Sequence, residues 1–280
     1  MGDDAHPYAP WLNRTAVLED TVTDFPLTAL AATLDRDTPE SHVPPGWHWL
    51  YFLPAGKQAE LGADGHPARG GFLPPIALPR RMWAAGRLTF HRPLKKGDRV
   101  RRTSTILSIN EKSGRSGKLV FVTVRHDITA GDELAISEEQ DIVYRDVALP
   151  GVRPVDPTPS PVNEDYSREL TADPVMLFRY SALTFNGHRI HYDQPYATNE
   201  EGYPGLVVHG PLIATLLLDL HARQFPDATL QTFNFRAVRP TFADVRFALC
   251  VKRGETDGQI ELWARDHEGF LTMQATAMHS

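Results

Sequence analysis

The sequence predicts an α+β protein of two like halves, each an antiparallel sheet wrapped around a central helix. Three observations predict it: alternating apolar runs that come in threes, an echo between two distant segments, and one helix that is apolar on most sides. In the second half, VRFALCVK from Val245, QIELWAR from Gln259 and LTMQATAM from Leu271 alternate with period two, so each lays one apolar face on a core. Val245, Phe247, Leu249 and Val251 share a face in the first run, and these strands are expected to be half-buried. The first half holds the matching set VRRTSTILSI from Val100, KLVFVTVRHDI from Lys118 and ELAISEEQDIVYR from Glu133. Turns at Ser113–Gly117 and Ala130–Asp132 separate them as hairpin loops do.

The echo lies just before each set. LTFHRPLKKGDRV from Leu88 is answered by FNFRAVRPTFADVRF from Phe233, with an aromatic–basic cluster, a proline and a downstream Asp in the same order. A repeat of well over a hundred residues is a duplicated domain, because solenoid units are much shorter. Between the halves, ALPGVRPVDPTPSPV from Ala148 to Val162 is too rich in proline to continue a sheet or helix. It divides the chain into 1–150 and 151–280. Helical signals precede the strands: TDFPLTALAATLDRD from Thr23, DPVMLFRYSALTF from Asp173, and GPLIATLLLDLHARQF from Gly210. The last has Pro211 at a tolerated early position and an almost wholly apolar body through Leu220, as a buried helix does. A long buried helix wrapped by an antiparallel sheet, made twice, is the double hot-dog arrangement.

At 280 residues and 41% hydrophobic content the chain has enough material for a substantial core. A formal charge of -6 argues against a general nucleic-acid binder, whose phosphate contacts need a basic surplus. The one cysteine, Cys250, lies in a strand pattern and reads as a packed thiol. Without an apolar leader or a run long enough to span a bilayer, no membrane association is expected, and the expected location is the cytoplasm.

Chemistry-bearing residues concentrate in YSALTFNGHRIHYDQPYA from Tyr180, followed by PGLVVHGPLIATLL running into the apolar helix. Histidine passes protons near neutral pH, and a helix N-terminus offers unpaired N–H groups to developing negative charge. Hydrating an enoyl thioester needs both, a base for water and donors for the enolate oxygen. This pair of segments resembles the MaoC-like, or hydratase-2, family, whose pattern is an aromatic residue, Ser-Gly-Asp-x-Asn-Pro-hydrophobic-His, and later a hydrophobic-His-Gly opening the central helix. By that resemblance Tyr180 stands at the aromatic position, Asn186 at the catalytic Asp, His188 at the Asn, Ile190 at the hydrophobic residue and His191 at the catalytic His. Val207 to Leu212 match the helix-opening motif, with Gly210 as the oxyanion donor. Thr-Phe-Asn replaces Ser-Gly-Asp and Arg189 replaces proline. The departure matters because an amide cannot act as a carboxylate base, which leaves Asn186 to orient water and His191 to carry the proton.

The variant motif, with PPIALPRRMWAAGRLTFHRPL from Pro74, resembles the subgroup containing mesaconyl-C4-CoA (3-methylfumaryl-CoA) hydratase and mitochondrial-type 3-hydroxyacyl-thioester dehydratases. That resemblance implies a hydro-lyase acting on a short, branched, dicarboxylic acyl-CoA such as mesaconyl-C4-CoA or itaconyl-CoA, with CoA part of the substrate and no further cofactor. Tyr180, His188, Arg189 and His209 are then the substrate-binding residues, Arg189 being the candidate partner of the free carboxylate. Three rivals stay open: a hot-dog thioesterase, for which Asp219 is the obvious carboxylate; a dehydratase acting on acyl-carrier protein; and a decayed acyl-thioester-binding protein. A homodimer of double hot dogs is one option for the assembly, which the sequence leaves open.

Plainer readings stand beside these. His188, His191, Asp193 and His209 lack the i, i+4 spacing of the helical zinc motif, so no metal is expected. Asp193 reads as structural and His209 as shaping the start of the helix. GADGHPARGG from Gly62 reads as a flexible surface loop, and Arg80, Arg81, Arg87, Arg92, Lys95, Lys96 and Arg99 as solvated surface, with contact to the phosphates of a CoA tail as the alternative for some of them. Trp47, Trp49, Tyr51 and Phe52 read as core or the wall of an acyl tunnel. The first half, without a His-Gly helix opening, reads as non-catalytic.

Overall fold

A computed structural model describes residues 7–114, 117–146 and 156–280. The first half runs β1 (Thr15–Thr21), α1 (Asp24–Thr33), β2 (Arg80–Phe90), β3 (Arg99–Gly114), β4 (Gly117–Ala130) and β5 (Glu133–Arg145). The second runs β6 (Tyr166–Thr171), α2 (Pro174–Leu183), α3 (Gly210–Gln224), β7 (Leu230–Ala237), β8 (Arg246–Arg253), β9 (Gln259–Asp266) and β10 (Leu271–His279). Local chemistry sets the helix starts. Asp173 caps α2, its Oδ1 accepting the Met176 N–H at 2.8 Å, and Pro174 sits where a missing N–H loses no hydrogen bond.

All ten strands join one antiparallel sheet in the order β1-β3-β4-β5-β2-β7-β10-β9-β8-β6. Read outward from its centre, each half has the same succession. The expected two sheets are therefore the two halves of one, fused where β2 pairs with β7 and Leu88 lies opposite Phe233. The echoed segments form this seam, and pairing edge to edge satisfies backbone groups that two separate sheets would leave open.

Among the described residues only one half has its long central helix. From Leu212 to His221 every residue of α3 is buried, and the helix packs against β8 and β9. At the corresponding place in the first half stands a single 3-10 turn, Trp47–Leu50, whose Trp47 and Leu50 join the same core as Leu217 and Leu218. Pro44, Pro45 and Pro54 bracket that turn, and proline inside a helix removes a hydrogen bond and clashes with the preceding turn.

The half-buried reading of β8 also needs correction, since Phe247 through Val251 are all buried. Ala248, Cys250, Trp263 and Leu271 make a small separate core on the outer face. The chain after the linker lies against it, with Ser160 N–H donating to Gly269 O and Leu271 N–H to Thr158 O. Most of the proline-rich boundary, and the tip of the Ser113–Gly117 turn, fall outside the described residues. Among the described residues, no helix is long and apolar enough to cross a membrane.

Candidate active site

One cleft of about 1440 Å³ runs between the halves and is lined by both. Its catalytic-looking end is built at the C-terminus of α2 and the N-terminus of α3. After Leu183 the chain leaves the helix through Phe185, at φ 48°, and a tight turn in which Asn186 Oδ1 accepts the His188 N–H at 3.0 Å. A short 3-10 turn, Arg189–His191, then points the imidazole of His191 inward. The His191 Nδ1–H donates to Val207 O at 2.7 Å, which fixes the tautomer and leaves Nε2 as the lone pair on the cleft side. Burial pushes this imidazole down to about 3, against the hydrogen bond that favours its charged form.

Gly210 opens α3 and lines the cleft beside Val208 and Pro211. As the first helical residue its N–H has no partner within the helix, and Pro211 offers no competing donor. His209 behaves differently from the expectation that it binds substrate. It is fully buried behind His191, the rings stacked at 3.6 Å, and its Nε2 shares a 2.8 Å hydrogen bond with Ser181 Oγ. It supports His191 and is not among the residues lining the cleft. Tyr180 packs edge-on against His209 at 5.1 Å, and burial pushes its hydroxyl pKa up.

Arg189 is also committed elsewhere. Its Nε and Nη2 donate to Asp193 Oδ2 at 3.0 and 2.7 Å, its Nη1 donates to Ala63 O, and the guanidinium lies 4.2 Å from the Tyr196 ring. It lines the cleft with its guanidinium spent on joining the two halves. Asp193 has the structural role expected of it, accepting the Tyr196 N–H as well. Asp219 is buried among Arg36, Arg168 and Arg223, at 2.5, 2.9 and 2.8 Å, so the carboxylate a thioesterase would need is locked in an ion cluster away from the cleft.

The first half contributes what the sequence reading missed. The Gly62 loop is no free surface loop: Arg189 N–H donates to Asp64 O at 3.0 Å, and a Cβ on Gly65, at φ 86°, would lie 1.9 Å from Gly187 O. That backbone-on-backbone contact brings Asp64 and His66 to the cleft. His66 Nδ1–H donates to Asp64 Oδ2 at 3.0 Å, and its ring lies 4.2 Å from His188, which is 5.5 Å from His191. Burial pushes His188 down to about 3, with a further push from His66 and Arg81. Asp64, His66 and His188 bring one ligand atom each within 4.8 Å of one another, a grouping the sequence analysis did not contain. The one hint in the sequence was an Asp and a His flanking a glycine.

Farther in, Trp49, Tyr51 and Phe52 line the cleft, while Trp47 belongs to the core. Glu138 accepts from His48 Nε2, Trp49 Nε1 and Gln140 Nε2; burial would raise its pKa, yet the hydrogen bonds from His48 and Gln140 and the nearby imidazoles of His48 and His126 hold it at about 2. Arg80 and Arg87 are ion-paired, to Glu201 and to Glu139 and Asp141. Arg81 and Arg102 line the cleft with no ion pair to a described carboxylate, and of the cations read as surface from the sequence, Arg80 and Arg81 have positions in the cleft wall.

The sequence profile of hydroxyacyl-thioester dehydratase type 2 matches residues 46–243. A mesaconyl-C(4)-CoA hydratase of Chloroflexus aurantiacus is 47% identical over 270 residues, which are 95% of each chain. The mitochondrial hydroxyacyl-thioester dehydratase type 2 of Schizosaccharomyces pombe is 29% identical, over 86% of this chain and 91% of its own. Among solved structures, HtdX of Mycobacterium tuberculosis superposes with a TM-score of 0.66 at 20% identity, covering 94% of this chain and 99% of its own. A second protein of that organism, described as a double hot-dog fold, gives 0.58 at 13% identity, over 96% of each chain.

Proposed function

The chain belongs to the hydroxyacyl-thioester dehydratase type 2 family, and we propose that it adds water to the double bond of a short, branched, dicarboxylic enoyl-CoA of the mesaconyl-C4 kind. It is a hydro-lyase of the hydratase and dehydratase type. The observation that carries the reading is that His191, its Nδ1 tied to Val207 O, and Gly210, whose N–H has no partner among the described residues, both line the cleft. Water held on His191 Nε2 attacks the β-carbon. The negative charge that develops on the thioester oxygen is met by Gly210 N–H and the positive end of α3. CoA enters as part of the substrate, and the reaction asks for no further cofactor.

The second half supplies these two groups, and the first half walls the acyl end. The likeness to the Chloroflexus hydratase supports the dicarboxylic substrate, and so do Arg81 and Arg102, since a carboxylate taken from water needs a cation to receive it. The deciding measurement is the loss of enoyl-thioester absorbance with mesaconyl-C4-CoA, without release of free thiol. Thiol release would make the chain a thioesterase. His191→Ala removes the group that holds the attacking water in place and is expected to lower hydration about a hundredfold or more; a near-normal rate in that variant ends the assignment.

A further inference from the structure

We infer that the Asp64–His66 pair of the first half is the proton-carrying group that Asn186 cannot be, with His66 Nε2 the base for the attacking water. The inference rests on the hydro-lyase reading and adds a catalytic residue to it. Adding water to an enoyl thioester requires a group that takes a proton from water and returns one to the α-carbon. By the resemblance to the MaoC-like pattern Asn186 stands at the aspartate position; its Oδ1 is already taken by the His188 N–H, and an amide does not change charge. His191 has no carboxylate against it. One nitrogen is fixed on Val207 O, one face is covered by His209, and an imidazolium there would be buried without a counter-charge.

Three carboxylates line the cleft: Asp64, Glu138 and Glu201. Glu138 is tied by three donors and Glu201 by Arg80. Asp64 faces His66, accepting from its backbone N–H and its Nδ1–H, both at 3.0 Å. That arrangement sets the tautomer: the proton on Nδ1 leaves the lone pair on Nε2, which takes no hydrogen bond from the described residues, while the carboxylate stands ready to stabilise an imidazolium. The loop is built for the place. Gly65 and Gly187 meet where neither tolerates a side chain, and Ala63 O and Asp64 O are both held by Arg189.

The step balances without another reactant. As the water oxygen bonds to the β-carbon, its O–H bond breaks and the proton passes to His66 Nε2. The π electron pair moves onto the α-carbon and thioester oxygen, where Gly210 N–H receives the charge. The α-carbon then takes the proton from His66, and Asp64, His66 and His191 are left as they began. Dehydration is the reverse.

The test uses full-length protein with His66→Ala, His66→Gln and Asp64→Asn, assayed with mesaconyl-C4-CoA. Both His66 variants should lose about a hundredfold or more in kcat with KM little changed. Added imidazole should restore part of the rate to His66→Ala. Asp64→Asn removes the charge that favours protonated His66, so the acidic limb of the pH–rate profile should move to lower pH. His66→Gln activity within about threefold of wild type, or His66→Ala without imidazole rescue alongside an unmoved limb in Asp64→Asn, would overturn the assignment. So would wild type that loses turnover to a chelator and regains it with zinc, because a cation would then bridge Asp64, His66 and His188. An active wild type with an indifferent His66 variant refutes this assignment alone; a wild type that hydrates no enoyl-CoA refutes the hydro-lyase reading together with it.

Discussion

Asn186 and Arg189 occupy neighbouring places in one motif and both line the cleft, yet their side chains are engaged differently. Asn186 lines it while its carbonyl holds the turn, so Asn186→Asp keeps that hydrogen bond and adds a charge beside His188. A nearby carboxylate favours the protonated imidazole, and the acidic limb of the pH–rate profile should move to higher pH, opposite to Asp64→Asn. Arg189, ion-paired to Asp193 and holding Ala63 O, is a bridge between segments. Arg189→Ala should lower turnover of mesaconyl-C4-CoA and crotonyl-CoA alike. Arg81→Ala should lower the preference for the dicarboxylic substrate by tenfold or more, a loss of about 1.4 kcal/mol or greater in a charge-assisted contact. Specificity ratios for the two variants decide between these positions; an altered preference in Arg189→Ala alone would return carboxylate recognition to that residue.

At the scale of elements, the Gly62 loop and the Asn186–His191 turn act as one unit. Gly65→Ala places a methyl 1.9 Å from a carbonyl oxygen and asks alanine to keep a left-handed φ of 86°, so the loop must lift away from Gly187. Since the contact is local, the expected outcome is at least a tenfold fall in turnover with a melting temperature within a few degrees of wild type. A variant with normal turnover would show that docking of this loop is dispensable. Gly210 contrasts with it: the nearest atom to a Cβ there is Trp83 O at 3.9 Å, and the position keeps its N–H in any L-residue, so Gly210→Ala should be far milder.

Across the whole molecule, the buried histidines make stability depend on pH. His126, His191 and His209 are held neutral by burial, His126 at about 4 and His191 at about 3, against an ordinary value of 6.5. Below 6.5 the unfolded chain takes up protons that the folded chain refuses. The stability these groups contribute is therefore present above pH 6.5 and is lost as pH falls toward their folded values, at up to about 1.4 kcal/mol per pH unit for each. Urea midpoints should decline steadily between pH 6.5 and 4.5; a flat midpoint over that range would contradict the neutral, buried assignment.

What the sequence determined by itself is what depends on local period and local chemistry. The alternation in β3, β4, β5, β8, β9 and β10, the apolar body of α3 and the proline spacing are properties of short windows, and they carried the two-half fold and the start of α3 at Gly210. Tertiary structure decided everything that depends on distant segments meeting. Fusion of two sheets into one follows from the free edges of β2 and β7 finding each other, and no window contains both edges. The withdrawal of His209 from the cleft, and the engagement of the Arg189 guanidinium at the cleft wall, follow from Ser181, Asp193 and Ala63 reaching them first. Asp64 and His66 sit more than a hundred residues from Asn186 in sequence, in a segment whose composition reads as an ordinary loop. Only the close approach of two glycine backbones, which has no periodic signature, turns that loop into part of a site.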